Sequence, residues 1–244
     1  MHIIACYSNK GGVGKTACSV NLAHGLAQQG KRVLLCDLDP QGASGFYFRV
    51  KPSDGIKLVQ DEDRFVAAIR ASDYENLDIL PANSTFKDLD IHLSQLKNSQ
   101  SRLKSTLKSV KKEYDVVILD CPPNISLLSE NIFKAADWVV VPVIPTTLSE
   151  RTLEQLYDFF AGMDFEKKKL LPFFSMVQQR KLMHVETMER LRGQYKHLLK
   201  ATIPFASDIE KMGVHRAPVS TFAGSGAAAQ AFAALSEEMA DRLR

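Results

Sequence analysis

The run Lys10-Gly11-Gly12-Val13-Gly14-Lys15-Thr16 holds the residue types needed to grip a polyphosphate. Its glycines let the backbone curl so that successive N–H groups face phosphate oxygens, where a side chain would block the approach. Lys15 is placed to bridge the β- and γ-phosphates of a nucleoside triphosphate, and the Thr16 hydroxyl to reach Mg²⁺, a hard cation that keeps oxygen ligands. Ala17 completes the nucleotide-contact set. Lys10 is not needed to build such a loop, so its charge requires a separate target. Carboxylates then close two apolar runs. The first is Cys36-Asp37-Leu38-Asp39-Pro40-Gln41-Gly42, and the second is Val116-Val117-Ile118-Leu119-Asp120-Cys121-Pro122-Pro123. The second reads as a Walker B strand, with Asp120 placed to hold a water of the magnesium shell. Pro122 and Pro123 fix the exit of a loop able to respond to a γ-phosphate. Phosphoryl transfer asks for positioning and charge neutralisation more than for covalent help, and these stretches offer both.

Parallel sheets gather their sites at the carboxyl ends of their strands, so the elements must supply that arrangement. Apolar runs of strand length recur at Ile3–Tyr7, Arg32–Cys36, Leu77–Leu80, Asp115–Leu119, Trp138–Val143, Leu171–Val177 and Thr202–Ile203. Helical patterns fall between them, at Thr16–Gln29, Arg102–Lys112, Glu150–Met163, Val185–Leu199 and Ala227–Leu243. This alternation predicts an α/β fold, a mainly parallel twisted sheet with helices on both faces. The runs Val116–Leu119 and Val139–Val141 are continuously apolar, as expected mid-sheet. The polar segment Pro52–Asp63, with Ser53-Asp54-Gly55 at its turn, is expected to be a mobile surface insertion.

With 244 residues and 45% hydrophobic content, a single domain over residues 1–244 is expected. The opening Met1-His2-Ile3-Ile4 runs directly into a strand without a leader pattern, and no apolar stretch reaches membrane-spanning length, so a cytoplasmic location is expected. Cys6, Cys18, Cys36 and Cys121 lie far apart with no C-x-x-C spacing, and read as buried free thiols. A net charge of +3 is too small to establish a nucleic-acid partner.

The loop K-G-G-x-G-K-T with a lysine at its front resembles the deviant Walker A motif of the ParA/MinD ATPases, a group of the P-loop NTPase fold. Asp37-Leu38-Asp39-Pro40-Gln41-Gly42 is similar to that family's second motif, and Asp120-Cys121-Pro122-Pro123 to its D-x-P-P sequence. Ala136–Val143, Leu148–Leu153 and the stretch from Ile203-Pro204 to Gly213–Val219 extend the likeness over almost the whole chain. The resemblance implies ATP and Mg²⁺ as cofactors, and a catalytic set of Lys10, Lys15 and Asp39. Lys10 would reach the partner's nucleotide across an ATP-dependent homodimer, as an arginine finger acts in trans. Asp39 would orient the attacking water, and Asp37 would support the magnesium shell or the switch that carries it. Pro204 would lie near the adenine base.

ParA-type dimers bind DNA non-specifically through basic residues of the C-terminal half. Here Arg180 and Lys181 precede Arg192, Lys196 and Lys200, whose four-residue spacing would make a cationic stripe on one helix opposite Val185, Met188, Leu191 and Tyr195. The same residues also read as a solvated helix face. Asp208 stands where chromosome-partition members carry a DNA-binding arginine, followed by Glu210. The tail Phe232, Leu235, Met239 and Leu243 is amphipathic but interrupted by Glu237, Glu238 and Asp241, which reads as a core-packed helix and not a membrane anchor. No cysteine pair suits a bridging iron–sulfur cluster, and no tyrosine follows Tyr195 as a tyrosine-kinase tail would require. The expected function is therefore a nucleotide-switched, DNA- or cargo-positioning ATPase, nucleoid-associated when ATP-bound and stimulated by an adaptor protein. Without an N-terminal helix-turn-helix domain, the chain resembles the short members of the family. The alternative is a switch that acts on a protein partner without DNA.

Overall fold

The computed structural model describes residues 1–51, 61–82, 86 and 88–243, so Pro52–Gln60 of the expected insertion lie outside the described residues. Among the described residues eight strands form one sheet. They are β1 (His2–Cys6), β2 (Val33–Asp37), β3 (Arg70–Ala71), β4 (Leu77–Leu80), β5 (Val116–Asp120), β6 (Trp138–Val143), β7 (Leu170–Val177) and β8 (Thr202–Pro204). Their spatial order is β3-β4-β2-β5-β1-β6-β7-β8. β3 pairs antiparallel with β4, and the remaining neighbours are parallel. β2 and β5 bury every residue, which is why each is a continuous apolar run up to its closing aspartate and not an alternating one.

Among the described residues ten α-helices connect or cover these strands: α1 (Lys15–Gln28), α2 (Ala43–Tyr47), α3 (Glu62–Ala68), α4 (Leu89–Ser94), α5 (Arg102–Leu107), α6 (Leu127–Ala135), α7 (Thr147–Gly162), α8 (Leu182–Gln194), α9 (Ser207–His215) and α10 (Ala227–Arg242). On one face of the sheet, Leu22 and Leu26 of α1 pack with Phe232, Leu235 and Met239 of α10. On the other face, α3 to α7 bring in Phe65, Leu93, Leu107, Phe133 and Leu156. There Phe133 sits edge-on to Tyr7, with ring centroids 4.8 Å apart. The closing helix is thus a core element, and Leu243 just beyond it is buried as well.

Each expected strand is present to within one residue at its ends, while several helices differ. The pattern over Arg102–Lys112 stays α-helical only to Leu107 and then tightens into a 3-10 turn over Lys108–Val110. There the Ser109 hydroxyl donates to the Thr106 carbonyl at 2.7 Å, a local bond that competes with helix continuation. The helix expected over Val185–Leu199 lies instead at Leu182–Gln194. It stops because Tyr195 takes an extended backbone (φ −109°, ψ 102°) and turns its ring toward Tyr157, with centroids 4.8 Å apart. Asp61 begins α3, its carboxylate accepting from the Asp63 and Arg64 N–H groups. β3 was not expected, since two residues carry no period.

Candidate nucleotide site

Strand register sets the site. Cys6 of β1 and Asp37 of β2 both stand level with Asp120 of β5, so the ends of three neighbouring strands emerge side by side. The loop leaving β1 turns at Gly12 (φ 70°) and Gly14 (φ 96°), left-handed conformations that cost a side-chain-bearing residue about 1 kcal/mol or more. A Cβ on Gly11 or Gly12 would meet nothing within 4 Å, so the loop's outer side is open to a ligand. Gly14 is the N-cap of α1 without a side-chain cap, which leaves the first-turn N–H groups aimed into that opening. From the far side Ser175 of β7 pins the loop, donating to the Val13 carbonyl at 2.9 Å.

Lys15 is buried, and its ammonium donates to the Lys10 carbonyl at 3.3 Å. Burial pulls its pKa down, while Asp120, Cys121 and Asp39 pull it up. A desolvated cation at a helix N-terminus, beside an open turn, suits a bound polyphosphate. Asp120 is fully buried and receives hydroxyl donors, from Ser44 at 2.7 Å, from Ser19 at 2.9 Å and from Thr16. Burial raises its pKa and these hydroxyls oppose the rise. Asp37 is also fully buried, and its pKa is raised well above the usual range, first by burial and then by Asp120. The two carboxylate oxygens of Asp37 accept from the Asp39 and Gly45 N–H groups, both at 3.2 Å. Asp37 therefore grips the loop that carries Asp39.

Asp39 sits half-exposed at the rim, its Oδ1 accepting from the Gln41 N–H at 3.0 Å. Lys10 is half-exposed on the opposite rim, with Nζ donating to Ser149 Oγ at 3.3 Å in the first turn of α7. Pro204 ends β8, and the chain that follows returns over α1, where Asn21 meets buried Met212 and where Ala17, Ala206 and Ile209 pack against the same hydrophobic cluster. Asn21 of α1 ties this segment down by accepting from the Val219 N–H at 2.9 Å.

The basic residues of the C-terminal half do not form the expected stripe. Arg180 and Lys181 precede α8, Arg192 lies on it, and Lys196 and Lys200 lie beyond its end. Arg192 sits over the Phe174 ring, 5.6 Å from its centroid, and the Lys200 N–H is held by Glu238 at 2.9 Å. Val185, expected on the apolar face, is exposed, and α8 buries His184, Thr187 and Leu191 instead. All five cations are nevertheless at the surface. Asp208 pairs with Lys211 at 3.0 Å, and Glu210 is exposed.

Residues 1–172 match a family model described as an AAA domain. The sporulation initiation inhibitor protein Soj of Bacillus subtilis (strain 168) is 32% identical over 250 residues, which cover 98% of each chain. The chain belongs to the ParA/MinD family of P-loop ATPases. The chromosome partitioning protein ParA of Myxococcus xanthus is 32% identical over 205 residues, covering 79% of this chain and 71% of that one. Among solved structures, cobyrinic acid a,c-diamide synthase of Mycobacterium smegmatis with a bound ATP analogue and magnesium superposes with a TM-score of 0.83 at 25% identity. It covers 100% of this chain and 96% of its own. The septum site-determining protein MinD of Pyrococcus horikoshii, complexed with Mg-ADP, has a TM-score of 0.81 at 22% identity, covering 100% and 98%, a likeness of fold.

As a ParA/MinD ATPase the chain takes ATP and Mg²⁺ as cofactors. Sequence reasoning missed the groups that hold its site. Ser19 had a signal, since it lies one turn after Lys15 on α1 and so on the same helix face. Ser44, Ser149 and Ser175 had none, because each arrives from an element distant in sequence. Buried Asn9 Oδ1, next to Lys10, has no hydrogen-bond partner among the described residues. All four cysteines are buried and unpaired. No helix among the described residues is long and apolar enough to cross a membrane.

Proposed function

We propose that this ATPase is a dimerising switch that positions DNA or a protein cargo, with two copies associating face to face in the ATP-bound state. The observation that carries this reading is the position of Lys10. It sits half-exposed on the rim of its own site, with its ammonium on Ser149 of α7 and away from the cradle that Lys15 faces. A cation on the rim is suited to a phosphate group belonging to a second subunit. The bound Mg-ATP supplies the γ-phosphoryl group that passes to water. Lys15 and the backbone of Gly11–Thr16 hold the phosphates, with Ala17 and Pro204 on the adenosine side. Thr16 presents its hydroxyl to the magnesium, Asp120 orients the surrounding hydroxyls, and Asp39 orients the water. Asp37 keeps the Asp39 loop in register.

The names of the relatives, a sporulation initiation inhibitor, a chromosome partitioning protein and a cell division protein, support a positioning role. In this reading the ATP-bound dimer contacts DNA without sequence preference, with Arg180, Lys181, Arg192, Lys196 and Lys200 among its phosphate contacts. It thereby associates with the nucleoid in the cytoplasm. Hydrolysis is slow alone, is stimulated by an adaptor protein, and returns the dimer to monomers. Asp208 and Glu210 favour a second reading, a switch acting on a protein partner without DNA.

Light scattering with a slowly hydrolysed ATP analogue tests the switch. Wild type dimerises, whereas Lys10→Ala binds the analogue and remains monomeric. A Lys10→Ala protein that dimerises and turns over normally would reduce Lys10 to a surface charge.

A further inference from the structure

Between Asp90 and Glu113 the chain carries six cations, Lys97, Arg102, Lys104, Lys108, Lys111 and Lys112, and no carboxylate. Taking these six from the net +3 leaves −3 for the remainder of the chain, so this short stretch holds the whole of its positive excess. The fold gathers the charges instead of dispersing them. α5 buries Leu103, Thr106 and Leu107, which turns Lys104 to the surface, and Lys108, opening the 3-10 turn that follows, is exposed as well. The chain entering α5 is fastened to α6. Asn131 donates to the Ser99 carbonyl at 2.7 Å and accepts from the Leu103 N–H at 3.3 Å, and Lys134 donates to Gln100 Oε1 at 2.6 Å. The result is a groove of about 260 Å³ lined by the first four of these cations and by Asn98, Ser101 and Ser105. Lys97, Lys104 and Lys108 have no carboxylate within ion-pair distance among the described residues.

Like charges this close repel one another, and an anion in the groove relieves that repulsion. The lining decides which anion. It contains no apolar side chain, so an amphipathic peptide finds no anchor, and no aromatic ring on which a single strand could stack its bases. Cations and hydroxyl or amide donors are what a duplex phosphate backbone uses. We propose that this groove is a contact site for the phosphates of duplex DNA, separate from the basic residues around α8. The proposal rests on the DNA-binding reading above. α5 leads into β5 and α8 follows β7, with β1 and β6 between those strands, so each subunit offers DNA two distinct cationic surfaces.

Fluorescence anisotropy of a random-sequence duplex, titrated over a salt series with the dimer on an ATP analogue and magnesium, tests this. The double variant Lys104→Gln/Lys108→Gln is expected to bind about tenfold or more weakly, and its log–log salt slope to fall by about 1.8, roughly 0.9 for each lost phosphate contact. Lys104→Arg/Lys108→Arg keeps the wild-type slope. Neither pair touches the nucleotide site, so dimerisation and DNA-free hydrolysis stay at wild-type levels. Wild-type affinity and slope in the glutamine pair would overturn the groove while leaving DNA binding in place, and so would a loss explained by failed dimerisation. A wild-type dimer without DNA affinity at low salt would overturn the DNA reading itself, and the groove with it.

Discussion

In the proposed mechanism Lys15 and Asp39 divide the work between holding the phosphates and acting on water. The Lys15 ammonium is buried among groups that include Asp120 and Asp39, and burial lowers its pKa. Lys15→Ala removes the cation aimed into the cradle, and isothermal titration should show no measurable ATP binding. Unchanged ATP affinity would remove Lys15 from the nucleotide site. Asp39 is different because it stands at the rim, outside the buried pair of Asp37 and Asp120. Asp39→Ala should leave ATP binding intact and slow single-turnover hydrolysis on the order of 10²-fold, so that the ATP-bound dimer outlives that of wild type. Hydrolysis at the wild-type rate would assign the water to another group.

At the scale of elements, the site depends on how closely α1 lies on its neighbours, because α1 carries the loop on its N-terminus. Its contact with α10 is set by Gly25. A Cβ built there would come within 2.8 Å of the Ser236 Cβ and nearer still to its hydroxyl, which donates to the Phe232 carbonyl. Gly25→Ala gains up to about 1 kcal/mol of helix propensity but overpacks this contact, at a cost of about 1–3 kcal/mol. Urea denaturation should therefore show a net loss, and Ser236→Gly in the same chain should recover part of it. Additive losses in the double variant would mean that the two residues do not meet. The 3-10 turn after α5 belongs to the same scale, since it ends the helix and leaves Lys108 on the groove.

Across the whole molecule, His24 joins segments remote in sequence. It is buried on α1, its Nδ1 is 3.1 Å from Ser220 Oγ before α10, and its ring is edge-on to Tyr74 near the sheet edge, 4.8 Å between centroids. Burial lowers its pKa below the ordinary 6.5. The unfolded chain then takes up a proton at a higher pH than the folded one, so stability falls with acidification. This contribution is present in full above 6.5 and is lost as the pH falls through the lower folded-state value. Burial also lowers the pKa of His184, which adds to the fall in the same direction. Thermal melts should show the midpoint falling below that pH, with a shallower fall in His24→Gln. An identical pH profile in the variant would mean that His24 does not titrate with folding.

The sequence by itself determined the chemistry and most of the sheet. The phosphate loop is legible because its glycines, lysine and threonine act through local backbone geometry, and a run of seven residues contains all of it. The strands are legible because burial on both faces leaves an aliphatic run, as at Val116–Leu119. The tertiary structure decided what depends on groups far apart in the chain. Which carboxylate faces outward was one such matter, since the Gly45 N–H draws Asp37 inward and leaves Asp39 at the rim. The tether of Lys10 to Ser149 spans 139 positions, and no local pattern signals it. The stripe of Arg192, Lys196 and Lys200 was a helical extrapolation, and it failed where Tyr195 left the helix for a ring partner on α7. The groove at Lys97–Lys108 took shape only when α6 fastened its chain, because charge is written in the sequence whereas concavity is made by packing.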